Sequence, residues 1–158
     1  MNKEFEKICK MSQKELKKYI VGQLKKANKN VISEDGFVYA DGDFPVLLVA
    51  HLDTVHEKLP ESILYDLQTN TVSSPNGIGG DDRCGIYMIL EIIKKHKCSV
   101  LFCEDEEKGG IGAKKFVEEE FAKELGTTVV SINRWENGKS GGYLDDRYCF
   151  VRFGLEHE

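Results

Sequence analysis

The chain has 158 residues, 41% of them hydrophobic and 31% charged, with a formal net charge of -5. That length supports one globular core and argues against two domains, so residues 1–158 are expected to form a single domain. An acidic chain carries no electrostatic footprint for nucleic acid. No apolar run is long enough to span a bilayer, and the charged stretch from Met1 to Lys10 is unlike a signal peptide, so a cytoplasmic protein with no membrane partner is expected. The five cysteines are odd in number and contain no C-x-x-C pair, which argues for reduced thiols rather than a disulfide framework or a thiolate zinc cluster.

In chain order, Ser12 to Glu15 reads as a capping box, and Leu16, Ile20 and Leu24 follow at helical spacing, predicting a helix to about Ala27. Val31 to Tyr39, interrupted by Asp35-Gly36 and followed by Asp41-Gly42, predicts a hairpin of short strands. Pro45 to Ala50 is continuously apolar, as a strand covered on both faces would be. A second hairpin is predicted from Ile63–Leu67 and Asn70–Ser73, closed near Thr69-Asn70. Asp82 can then cap a helix whose apolar face is Ile86, Ile89, Leu90 and Ile93. Cys98 to Cys103 reads as another buried strand, Ile111 to Leu125 as a helix and Thr127 to Ile132 as a third buried strand. Strands alternating with helices predict an α/β fold with a mostly parallel central sheet flanked by helices.

Ligands of open α/β sheets bind at the carboxyl ends of the strands. The first buried strand runs into His51-Leu52-Asp53, the second into Glu104-Asp105-Glu106-Glu107, and Asp81-Asp82 precede the intervening helix. Carboxylates gathered at one end repel one another unless a cation neutralises them, which points to a metal. Each segment also has a plainer explanation. His51 and Asp53 can be a locally hydrogen-bonded strand end, and Gly77 to Asp82 a flexible loop whose Asp82 only caps. Glu106 and Glu107 can likewise be the solvated acidic start of a helix. A phosphate loop fits poorly, because there is no Gly-Lys-Ser/Thr ending and two carboxylates would repel an anion.

Val46 to Val55 (VLLVAHLDTV), Gly77 to Gly85 (GIGGDDRCG) and Phe102 to Ala113 (FCEDEEKGGIGA), in that order, resemble the two-metal zinc aminopeptidases and related peptidases and deacylases. The resemblance implies that His51 binds one metal, Asp53 orients His51, Asp81 bridges two zinc ions, Glu107 binds the second and Glu106 is the general base. It implies a metallopeptidase hydrolysing peptide or aminoacyl substrates, with no inserted lid or dimerisation domain and with selectivity from loops or neighbouring subunits of a homo-oligomer. Arg83 stands where such proteins often have Lys. Two departures favour a second expectation. Asn133 matches the position of an Asp ligand, and no His follows where the family completes its second metal, so the fold is expected to be incomplete at its C-terminus. The alternative is therefore a shortened, weakly active or non-catalytic module that binds one metal or none.

Overall fold

The computed structural model describes residues 2–27, 29–121 and 149–152. Helix α1 (Lys3–Cys9) precedes α2 (Gln13–Lys26), whose N-cap Ser12 and Glu15 form the reciprocal capping box. Strands β1 (Val31–Glu34) and β2 (Phe37–Ala40) make a hairpin through Gly36, which sits at φ 102 in a region open to glycine. β3 (Phe44–His51) follows, then a separate exposed hairpin of β4 (Leu64–Asp66) and β5 (Thr71–Ser73). Helix α3 (Gly80–Ile92) leads into β6 (Cys98–Cys103). α4 (Ile111–Phe116) continues into a π-helical turn over Val117–Phe121, and β7 is Cys149–Arg152.

The central sheet has the order β1-β2-β6-β3-β7. β3 runs parallel to both β6 and β7, but β1, β2 and β6 pair antiparallel, so the sheet is mixed where the sequence predicted a mostly parallel one. The tight turn at Asp35-Gly36 forces β1 and β2 to be antiparallel, and β2 pairs in the opposite sense with β6, a neighbour that is not consecutive in the chain. Two further departures concern the ends of the chain. α1 was not anticipated, since its residues are mostly charged and its buried contribution is confined to Ile8 and Cys9. β7 was not anticipated either, while the predicted strand at Thr127 to Ile132 and the last residues of the predicted helix to Leu125 lie outside the described residues.

Alternation along the strands divides the core into two layers. Val38, Ala40, Leu48, Ala50, Val100 and Phe102 pack with Ile8, Leu16, Ile20 and Leu24 of the N-terminal helices and Ile86, Ile89 and Leu90 of α3. On the other face Phe37, Tyr39, Leu47, Leu101 and Cys103 pack against Phe116 of α4. Covering both faces explains why Leu47 to Ala50 and Val100 to Cys103 of β6 read as unbroken apolar runs.

The chain leaving β6 is pinned on that second face. Gly36 and Glu104 exchange backbone hydrogen bonding, with Glu104 N donating to Gly36 O at 2.7 Å and the Glu104 carboxylate accepting from Gly36 N at 3.0 Å. Gly112 fits directly over this junction: a Cβ there would lie 2.1 Å from Gly36 O and 2.6 Å from Glu104 O. Gly112→Ala should therefore destabilise the protein by about 1–3 kcal/mol through overpacking, measured by denaturant unfolding, whereas Gly22→Ala, where the added methyl meets nothing within 4 Å, should not.

Candidate metal centre

His51 is the last residue of β3, in register with Cys103 at the end of β6, so both strands deliver their following loops to one place. Leu52 N donates to Cys103 O at 2.8 Å and extends the ladder by one step. Period-2 geometry returns Asp53 to the side of His51, where His51 Nδ1 and Asp53 Oδ1 lie 3.3 Å apart. Asp53 also accepts from the backbone N–H of Glu106 (Oδ1, 3.0 Å) and of Glu107 (Oδ2, 3.0 Å). One carboxylate thus orients the imidazole and fixes the loop after β6. The alternative of a purely local strand-end histidine leaves these two bonds unaccounted for.

Asp81 comes from the other side, at the start of α3, with Oδ1 3.1 Å from His51 Nε2. The N-cap position is taken by Gly79 in the left-handed region, and Asp81 and Asp82 depart from helical geometry, joined by a cis peptide bond. Regular helix begins after them. Asp82 Oδ1 accepts from Gly85 N at 3.1 Å, the capping bond the sequence predicted, while its Oδ2 accepts from His51 N at 3.2 Å. A Cβ on Gly85 would lie 2.0 Å from Asp82 Oδ1, so the close seat of that carboxylate requires glycine.

Atoms of His51, Asp81 and Glu107 lie within 4.8 Å of one another, one ligand atom from each. Ligands of a tetrahedral ion with bonds of about 2.0 Å are about 3.3 Å apart, so the His51–Asp81 edge already has that length and Glu107 needs only a small side-chain adjustment. The imidazole-and-carboxylate donor set suits zinc and its divalent neighbours. Glu106 is not one of the three, although its backbone is held beside Glu107. Asn133 lies outside the described residues.

Several partners have no signature in the sequence, because they are far apart along it. Gln13 of α2 brackets Asp105, donating from Nε2 to Oδ1 and accepting from Asp105 N, both at 3.4 Å. Lys17 of α2 reaches Glu104. Arg83, assigned no consequence from the sequence, is 2% exposed and donates from Nη2 to Met11 O at 3.0 Å. The corner between α1 and α2 therefore touches both loops that carry the acidic groups.

Protons take the place of a cation in the metal-free arrangement. Burial alone would lower the His51 pKa, but hydrogen bonds to Asp53 and Asp81 outweigh it and push it up to about 9. Burial pushes Asp82 up to about 7, against the opposing effect of His51. Burial also opposes ionisation of Asp53, yet the bonds from His51, Glu106 and Glu107 hold its pKa below the usual value. Both raised groups bind protons more tightly folded than unfolded. Their stabilising contribution is complete below the unfolded values of 6.5 and 3.8 and is lost as pH rises through about 9 and about 7. Asp53 acts oppositely, losing its contribution only on acidification. The melting temperature of chelator-treated protein should therefore fall between pH 6 and pH 9, and a divalent ion should raise it more at pH 9, where about half of the His51 rings have already lost the proton that the ion displaces. A flat or rising metal-free profile would contradict this proton occupancy.

No helix among the described residues is long and apolar enough to cross a membrane. No protein-family model matches the chain, and no curated protein matches it. Among solved structures it is similar to aminopeptidase PepT from Bacillus cereus ATCC 10987, with a TM-score of 0.57 and 18% sequence identity over 70% of this chain. The match covers 37% of that structure's own chain. The likeness shows an aminopeptidase-like mixed α/β fold.

Proposed function

We propose that the chain is a metal-dependent hydrolase of peptide-type bonds, of the aminopeptidase kind, in which His51, Asp81 and Glu107 hold a divalent ion, zinc by preference. The convergence of these three donors at the carboxyl end of β3 and β6 is the observation that carries the reading. The fold similarity to an aminopeptidase supports it independently. A bound ion would supply Lewis-acid polarisation of the scissile carbonyl and make attacking water more acidic.

The chain's own residues then divide the remaining work. Asp53 holds the His51 ring with Nε2 directed toward Asp81 and sets the backbone of both glutamates. In this reading Glu106 accepts the proton from attacking water and returns it to the leaving amine, while Glu107 ligates. Asp81 is our candidate to bridge to a second ion, and Asn133 is our candidate for a further ligand. Peptides or aminoacyl compounds are the substrates this chemistry serves.

The two glutamates should fail differently when substituted. Glu106→Gln should lower turnover of aminoacyl substrates about 100-fold or more while metal content stays near that of the unaltered protein. Glu107→Gln should lose bound metal in elemental analysis. Equal metal loss in both variants, or full activity in Glu106→Gln, would overturn the assignment; metal binding by the unaltered protein without any hydrolysis would favour a non-catalytic metal-binding module.

A further inference from the structure

The side chain of Arg83 poses a problem that the proposed hydrolase does not solve. It is 2% exposed, and its Nη2 donates to Met11 O, but among the described residues its buried Nε and Nη1 meet no hydrogen-bond partner. Buried cations are ordinarily paired, and buried N–H groups are ordinarily bonded. Among the described residues no carboxylate bonds to this one. Burial lowers the Arg83 pKa, while the Cys9 thiol and then Asp53 act on the guanidinium through space, and the Asp53 oxygens bond to His51, Glu106 and Glu107. Asp81 and Asp82, the two carboxylates that argue against an anion on this loop, bond to His51 and do not line the cavity beside Arg83, so that objection is weaker there.

This cavity, of about 10 Å³, is lined by Cys9, Thr54, His56, Lys58, Gly77 and Gly79 among others, with no acidic side chain among the described residues of its wall. Its glycine wall is closely held: a Cβ on Gly77 would lie 2.3 Å from the His56 ring, and one on Gly79 2.6 Å from Thr54 Cγ2. The volume suits one body of about the size of a water molecule. The lining residues include the basic Arg83 and Lys58, and the exposed side chains of His56 and Lys58 can yield the few tenths of an ångström by which a halide exceeds water.

We propose that this cavity is a site for a monatomic anion, chloride in ordinary solution, which accepts from Nε and Nη1 of Arg83. The ion meets the two N–H groups that the described residues leave unmet and fastens the segment from Thr54 to Lys58 to the first turn of α3. It is separate from the His51, Asp81 and Glu107 cluster and stands whether or not that cluster holds a metal.

Bromide replaces chloride and is visible by anomalous diffraction. Crystals of the full chain grown or soaked in sodium bromide should show a peak within about 3.5 Å of Arg83 Nε and Nη1. In solution at equal ionic strength, chloride should raise the melting temperature by about 4 °C over gluconate, as expected for a ligand at roughly ten times its dissociation constant, and Arg83→Met should abolish that difference. A water in place of the peak, or no peak, would overturn the proposal. So would a peak without a chloride-specific melting shift, which would mark an adventitious ion only. Should Arg83→Met fail to fold, bromide density and the chloride shift in the unaltered protein decide the matter together.

Discussion

The Asp53 carboxylate is the constraint on which the site depends. It touches the His51 ring and accepts from the N–H groups of Glu106 and Glu107, so one group couples the end of β3 to the loop after β6. Charge-assisted bonds of this kind are roughly twice as strong as neutral ones, and here they act in a region where Asp53 and His51 are both nearly withdrawn from water. Without Asp53 the parallel pairing of β3 and β6 would still bring the two loops near each other. It would not set the direction of the imidazole relative to Glu107.

The rest of the fold supplies rigidity around that group. Packed layers on both faces of the sheet hold β3 and β6, and the Gly36, Glu104 and Gly112 junction fixes the chain just before the acidic loop. Asp82 ties the start of α3 to the His51 backbone, which places Asp81 opposite Asp53 across the imidazole. Gathering Asp53, Asp81 and Asp82 about one histidine is electrostatically unfavourable unless positive charge sits among them. In the metal-free state a His51 proton meets part of that requirement, and a divalent ion at the same nitrogen would meet it more fully.

Local signals were readable in the sequence where their cause was local. The Ser12–Glu15 capping box, the turn at Asp35-Gly36 and the helical spacing of Leu16, Ile20 and Leu24 each depend on residues a few positions apart, and each forms as expected. The unbroken apolar runs of β3 and β6 marked strands covered on both faces. Strand direction was not readable, because it depends on β2 choosing β6 as its neighbour across some sixty residues of chain. The candidate site divides in the same way. His51, Asp53, Asp81 and Glu107 stood out through motif order, and the structure brings them together. The second bond of Asp82, the bracket of Gln13 on Asp105 and the burial of Arg83 arise from tertiary contacts, for which a lone Gln or Arg carries no signal.

The most direct test of this account is the metal affinity of Asp53→Asn. The amide keeps the size of the carboxylate but replaces one acceptor with a donor, so it cannot serve His51, Glu106 and Glu107 together. Titration of chelator-treated protein with zinc should show affinity reduced about 10- to 100-fold, with the far-ultraviolet circular dichroism of the unaltered protein retained. A folded Asp53→Asn protein binding zinc within about twofold of the unaltered chain would contradict the claim that this carboxylate organises the centre.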